Sequence, residues 1–390
     1  MAARRFVTSA RHPIIRRVLG LAATALTLVL IWIGLDLVRD PEGATRLWSG
    51  LYGLIGLDGQ ASEVRSRGLD PIQAKFTIGA LAIVIGVVGI WLLFVGLDRA
   101  VELLGSRWSR RLRPYVFVGP AMLMLTVYLV APTVLTFVAS FTGQEGVAGT
   151  WGAILGDPDM WIAFRNNLLW LVVGTTGSVV IGLLVASLVD RVKREALAKT
   201  FIFLPLAISM VGASVIWGFV YAWVPEGETQ IGLANAFWTS LGNAPVPWLQ
   251  TPPLNTFALI LIMVWLQTGF AMVVLSAALK GVPSEIIEAA RMDGATEVHL
   301  FFRVVVPMIR GSIIAVATTI AIAILKVFDI VYVTTGGRFE TEVMANRMFS
   351  EMFTYRNFGR ASAIAVIIFI AVVPIMVVNI RNLRRQGIGS

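Results

Sequence analysis

Apolar residues in this chain come in long, nearly unbroken runs, and polar residues gather in the stretches between them. A run of about 20 apolar residues is enough to cross the hydrocarbon core of a bilayer as a helix. Eight such runs are read, at about 18–38, 76–97, 115–139, 167–189, 200–223, 255–279, 311–333 and 361–380. The pattern therefore predicts an all-α integral membrane protein with about eight transmembrane helices. The first run follows Arg4, Arg5, Arg11, Arg16 and Arg17, as the core of a secretion signal would. It is too long for that role, and no small-residue cleavage site follows it cleanly, so it is read as an uncleaved anchor.

The basic residues set an orientation, because short cytoplasmic loops retain Lys and Arg. With the N-terminus inside, 21 of the 32 basic residues fall on inner segments, 10 on the longer outer loops, and Lys326 lies within a span. Both termini are expected in the cytoplasm. The net charge of +9 then reflects topology and contact with anionic lipid, not a nucleic-acid footprint.

Composition narrows the chemistry. Hydrophobic residues make up 57% of the chain and charged residues 14%, against roughly 25% charged in an ordinary soluble protein. There is no cysteine and there are two histidines, His12 and His299. This leaves no disulfide, no thiol nucleophile and no evident metal site. The phosphate-cradling pattern G-x-x-x-x-G-K-[ST] does not occur, so the chain has no means of hydrolysing ATP by that route.

Two regions are expected. Residues 1–114 form an accessory region of two spans, closed by a basic linker with Arg107, Arg110, Arg111, Arg113 and Pro114. Residues 115–390 form a six-helix core. The outer loop 224–254 lacks any basic residue and holds many prolines together with Trp238 and Trp248. It reads either as part of an interfacial aromatic belt or as a docking surface for a soluble partner.

The most informative segment is a polar insert of about thirty residues between the sixth and seventh runs. Pro283 and Ser284 start a helix with Glu285 and Glu288 in its first turns, where the helix dipole favours acidic groups. Gly294 is placed as a left-handed stop. Thr296 then caps a second short helix carrying Val298, Phe301, Phe302 and Val305, which Pro307 ends or kinks.

The spacing of Glu288, Ala289, Ala290, Asp293, Gly294 and Pro307 resembles the E-A-A, three residues, G, nine residues, I-x-L-P loop of binding-protein-dependent ABC importer permeases. Val304 and Val306 stand where Ile and Leu are usual. The resemblance implies that this loop sits in a cleft of an ATP-binding subunit and couples its closure to transport. Glu288 and Asp293 would meet basic groups there, and Ala289, Ala290 and Gly294 would allow close approach.

A second stretch, Lys326 to Gly337 followed by Thr341 to Met348, is similar to the maltose and α-glucoside sugar permeases, the latter part in particular to the α-glucoside branch. The two accessory spans before the core fit the larger, maltose-type subunit of the pair. Over 115–390 this implies a bacterial inner-membrane permease subunit, not itself an enzyme, for a sugar such as an α-glucoside, a maltose-like or a trehalose-like oligosaccharide. It also implies a second permease subunit, two ATP-binding subunits carrying ATP and Mg, and a periplasmic or lipid-anchored sugar-binding protein. No cofactor and no metal are expected in this chain.

Polar and aromatic groups within spans are the candidates for substrate contact. Trp217 and Tyr221, Gln267 and Thr268 with Met272 below, and Phe328, Asp329 and Tyr332 are the residues singled out. Each has a plainer role: Trp217 and Tyr221 in an aromatic belt, Gln267 and Thr268 in helix-to-helix hydrogen bonds. Asp329 would pair with Lys326 three residues earlier on the same helix face. That ionisable pair also supports the competing reading, an ion-coupled secondary transporter of a small polar solute. An integral membrane enzyme is the third reading, although no catalytic carboxylate or histidine cluster stands out.

Overall fold

The computed structural model describes residues 106–387 apart from 144 and 191, together with residues 83, 86–92, 94–96, 98–99 and 101. The expected spans at 18–38 and, in its first part, 76–97 lie outside the described residues, as does the loop 39–75. Among the described residues all regular structure is helical. The chain divides into two compact units, Met1–Ala131 and Pro132–Ser390.

In the first unit, the stretch read as a basic linker is helical backbone. It opens α1, Ser106–Leu125, which carries Pro114 and Pro120 within it. A π-helical turn, Thr126–Val130, follows. Phe94 and Phe117 stack here with ring centroids 5.9 Å apart.

The second unit holds α2 (Ala131–Thr142) and α3 (Gly146–Gly156). The long α4 (Pro158–Val189) contains a π turn at Trp170–Gly174. Then come α5 (Glu195–Phe203), α6 (Met210–Val220), α7 (Leu233–Ser240) and α8 (Leu254–Lys280). The polar insert supplies α9 (Ser284–Met292) and α10 (Glu297–Met308). They lead into α11 (Arg310–Leu325), α12 (Asp329–Thr334), α13 (Met344–Phe349) and α14 (Phe358–Gly387). Among the described residues, four helices are long and apolar enough to cross a membrane: 117–142, α4, α8 and 358–382. Two bent pairs pass the same test, α5 with α6 and α10 with α11.

These six correspond to the six runs expected after residue 115, with two differences in detail. The run 200–223 is broken: Ile208 is extended and Ser209 caps α6 by accepting a hydrogen bond from the Gly212 amide at 3.0 Å, which turns the helix through 101°. The run 311–333 also breaks. Helix α11 stops at Leu325, and Phe328 adopts a non-helical conformation before α12 begins at Asp329. Lys326 and Asp329 therefore do not share a face of one helix, and among the described residues no ion pair joins them.

Helix α8 is apolar on every side and lies at the centre, with 61% of its apolar stretch buried. That is what an all-round hydrophobic sequence requires. Backbones come close against it at two glycines. A Cβ on Gly182 would lie 2.4 Å from the Ala271 Cβ and 3.1 Å from the Met272 amide nitrogen. A Cβ on Gly269 would lie 2.6 Å from the Ile202 carbonyl oxygen. Small residues at helix interfaces permit this approach in lipid, where apolar area alone does not favour helix over tail.

At the end of the bundle far from α9 and α10, three asparagines hold the loop after α12. Asn166 donates to the carbonyls of Glu340 and Glu342 at 2.7 and 2.8 Å. Asn167 accepts from the Met344 amide at 2.8 Å, and Asn255 donates to the Phe339 carbonyl at 2.7 Å. These bonds hold Phe339 and Glu340 in left-handed conformations, both with φ of 57°, which side-chain-bearing residues seldom adopt unless surrounding contacts determine them.

Arg347 crosses the same region, 2.6 Å from Asp157 and 3.2 Å from Glu351, with its guanidinium 5.6 Å from the centre of the Tyr355 ring. Burial pushes the Glu342 and Glu351 carboxyls above the ordinary carboxylate range; hydrogen bonds to Glu342 and the charge of Arg347 on both only partly offset it.

Two outcomes follow from this packing. Gly182→Val should lower the stability of the purified chain by about 1–3 kcal/mol, the usual range for overpacking, read as a drop in thermal midpoint in detergent. A carboxyl whose pKa is raised by folding stabilises below its unfolded value of 4.5, and that contribution is lost as pH rises through the raised value. Glu342→Gln keeps an oxygen for the Val343 amide and the Asn346 side chain while removing the charge. It should raise the midpoint near pH 7 and flatten its decline as pH rises above about 4.5. A wild-type slope in the variant would show that Glu342 does not cause it.

Candidate functional site

The polar insert folds as its local signals require. Helix α9 starts directly after Pro283 and carries Glu285 in its first turn and Arg291 in its last. Gly294 takes φ of +83°, and the Ala295 amide closes back onto the Ala290 carbonyl at 3.0 Å. Such a left-handed stop suits glycine, which lacks the Cβ that would clash. Thr296 then caps α10, its hydroxyl accepting from the His299 amide at 3.3 Å. Arg291 meets Glu297 at 3.0 Å across the turn, an exposed ion pair that links the two helices. Pro307 lies in the last turn of α10, and at Ile309 the chain bends by 70° into α11.

The outward faces of this pair are unusually apolar for a polar loop. Met292 is 87% exposed, Val298 68% and Phe302 61%. Glu288, Ala289, Asp293, Gly294 and Pro307 are exposed as well, while Ala290 is half-buried. A surface of small, apolar and acidic groups on a rigid two-helix hook is shaped for a partner with a complementary cleft.

The residues proposed for substrate contact fall into two neighbouring groups. Trp217 packs 5.2 Å from Tyr221 and 5.8 Å, edge-on, from Trp265. Tyr221 in turn lies 6.5 Å from Trp248, which meets Trp238 at 6.0 Å. The Tyr221 hydroxyl donates to the Ala258 carbonyl at 3.0 Å, which ties the end of α6 to α8. This chain of rings also reaches into the loop 224–254. There the buried Asn235 donates to the carbonyls of Ala222 and Val246 and accepts from the Val246 amide and the Trp248 indole. The loop is thus a folded cap on the end of α6.

The second group gathers around the break after α11. Phe328 stacks on Tyr332 at 5.0 Å, and Phe349 lies 5.0 and 5.1 Å from the two rings. Beside them is a cavity of about 520 Å³, lined by Lys326, Phe328, Ala345, Met348, Phe349 and residues of α14. Helix α12 packs on α6 and both touch α8, so the two aromatic groups occupy adjoining helices.

The remaining candidates are placed differently. Thr268 is 9% exposed and its hydroxyl donates to the Val264 carbonyl of its own helix at 2.7 Å. Gln267 is half-buried, and its amide makes a long contact of 3.8 Å with the Met263 sulfur. Met272 is fully buried in the main core. Asp329 is half-buried in the first turn of α12. Phe349 and Met348 were not singled out from the sequence, because they lie beyond the apolar run. Their i, i+4 aromatic continuation, Phe353, was the available signal. Asn235 was likewise hidden, since all its partners belong to the loop's tertiary fold.

Relatives of known kind share this architecture. Residues 177–385, more than half of the chain, match the family model of the binding-protein-dependent transport system inner membrane component. The osmoprotective compounds uptake permease protein GgtC of Synechocystis is 54% identical over 275 residues, which cover 70% of this chain and 99% of that protein. The alpha-glucoside transport system permease protein AglF of Rhizobium meliloti is 46% identical over 295 residues, 74% of this chain and 88% of that one. Among solved structures, a bacterial ABC transporter involved in the import of alginate shares the fold. That match has a TM-score of 0.62 at 19% identity and covers 72% of this chain and 99% of the other. The exposed helical hook, the bundle behind it and these matches agree: the chain belongs to the family of binding-protein-dependent transport system inner membrane components.

Proposed function

We propose that this chain is the larger, maltose-type permease subunit of an ATP-driven importer of a sugar of the α-glucoside class, with ATP hydrolysed on separate partner subunits. The observation that carries the coupling half of this reading is the rigid α9–α10 hook with Met292, Val298 and Phe302 uncovered. The sugar half is supported by the 46% identity with AglF over 88% of that protein's length. The alternative of an ion-coupled transporter loses its structural basis with the break between Lys326 and Asp329.

In this reading both termini lie in the cytoplasm of a bacterial inner membrane, where the hook meets an ATP-binding subunit. A second permease subunit completes the bundle, two ATP-binding subunits carry ATP and Mg, and a periplasmic or lipid-anchored receptor delivers the sugar. This chain itself holds no cofactor. Transport requires no covalent step. The receptor and the nucleotide each favour one of two arrangements of the bundle, and the difference in their affinities for the two drives the exchange. The two aromatic groups, with Trp217 and Tyr221 on one side and Phe328 and Tyr332 on the other, supply flat apolar faces for sugar rings. Gln267, Thr268 and Asp329 are the polar groups proposed nearby, and Met272 lies beneath.

Gly294→Val places a β-branched residue at φ of +83° and should deform the hook. Affinity capture of the tagged chain from gently solubilised native membranes should then recover an ATP-binding subunit and a second permease with the wild type, and lose the former with the variant. Equal recovery of the ATP-binding subunit would argue against coupling through this loop. Phe328→Ala should raise the half-saturating sugar concentration for uptake by about tenfold, equivalent to the loss of about 1.4 kcal/mol of ring contact, with assembly unchanged. An unaltered concentration dependence would remove Phe328 from the sugar site.

A further inference from the structure

Lys199 lies on α5, at the hook end of the bundle, with a side chain 20% exposed. Its three N–H donors have three acceptors. It is 2.8 Å from Asp190, at the end of α4, and 2.6 Å from Glu195, one turn back on α5. The third acceptor is the Ser276 hydroxyl on α8. The Ser276 hydroxyl in turn donates a hydrogen bond to the Asp190 carboxylate at 2.7 Å. Glu195 also meets Lys280, the last residue of α8. Two cations and two anions thus alternate across the ends of three helices and leave no net charge.

Beneath this network the helices have no room to slide. Gly269 brings α8 against the Ile202 backbone, seven residues or about two turns from Ser276. Gly182 brings α4 against Ala271 and Met272. The ends of α4, α5 and α8 therefore form one block, held by backbone contact within the bilayer and by ion pairs at its rim. The hook is rooted in that block: Gly281, Val282 and Pro283 alone separate Lys280 from α9. Beyond the block, α5 and the 3-10 turn Leu204–Ala207 that follows it run to the 101° break at Ile208 and Ser209, after which α6 carries Trp217 to the candidate sugar site.

We propose that Lys199 is a positioning residue for coupling. It locks α5 to the root of the hook, so that displacement of α9 reaches the aromatic groups through the broken α5–α6 helix as a rigid-body movement. A partly exposed ion network of this kind, with Lys280 54% exposed, adds little net stability. What it supplies is a matched set of partners that sets the register of the three helix ends, and register is what transmission requires. The inference rests on α9 docking an ATP-binding subunit, as proposed above.

The test uses the complete complex of both permeases, ATP-binding subunits and receptor, reconstituted in vesicles with trehalose and maltose as probes. Lys199→Met should leave recovery of the ATP-binding subunits at the wild-type level. Stimulation of ATP hydrolysis by receptor and sugar, and uptake with it, should fall at least about fivefold. Wild-type stimulation and uptake in the assembled variant would overturn the proposal, as would a loss of uptake that merely tracks a loss of assembled complex.

The absence of cysteine from the chain permits a second measurement that does not depend on that variant. Asp190→Cys with Ser276→Cys should be uncoupled when reduced and should recover coupling when joined by a short thiol cross-linker. Arrest by the cross-link would show that these helices part during each cycle and would overturn the rigid joint. Absence of ATP-binding subunits from the wild-type complex would instead overturn the docking reading, and this proposal with it.

Discussion

The close approach of backbones against α8 is the constraint on which the rest of the second unit depends. In a bilayer the tails are as apolar as leucine, so a buried helix gains little by exchanging lipid for another apolar surface. What favours helix against helix is contact at short range, and short range requires the absence of side chains. Gly182 meets that need on α4, facing α8, and Gly269 meets it on α8 itself, facing α5. Because the atoms approached are the Ala271 Cβ and backbone atoms of Met272 and Ile202, none of which has a rotamer to change, neither contact can relax in that way. The direction and height of α4 and α5 are fixed together, and so is everything attached to their ends.

Polar side chains then do at the ends of the bundle what glycine does within it. Asn166, Asn167 and Asn255 each reach across to a backbone group more than eighty residues away, and Asn235 gathers a whole loop around one amide. An amide suits this work because it donates and accepts at once and carries no charge to desolvate. Arg347 adds charge only where Asp157 and Glu351 stand ready to balance it. At the hook end the same logic is carried by Lys199, whose three donors are all matched.

The sequence was most legible where structure is local. The hook could be read residue by residue, since Gly294, Thr296 and Pro307 act on their immediate neighbours and the structure places them in those roles. The spans were legible as lengths of apolar chain, and four of the six core spans are single helices near the expected bounds. The breaks were not legible. An apolar run hides a change of direction, because Ile208 and Ser209 differ little in hydropathy pattern from a continuous helix. At Lys326 to Phe328 the expectation of a shared face failed for the same reason: spacing assigns residues to a face only while the helix continues. The asparagine ties were invisible because each partner is distant in sequence.

The two breaks acquire meaning from being neighbours. Helix α6, which follows the first, packs on α12, which follows the second. An unbroken helix transmits a push along its axis and allows little rotation, whereas a break between two packed segments lets one turn while its root stays fixed. The roots here differ in kind. That of α6 is the block closed by Lys199, and that of α12 is α11, which the hook enters through the 70° bend at Ile309. Trp217 and Tyr332 are therefore carried on short segments that share a packing surface, and separate stretches of chain connect each to the hook. If the hook moves as proposed above, a movement that tilted only one route would strain the α6–α12 contact, and two breaks side by side above one hook would make both routes act together.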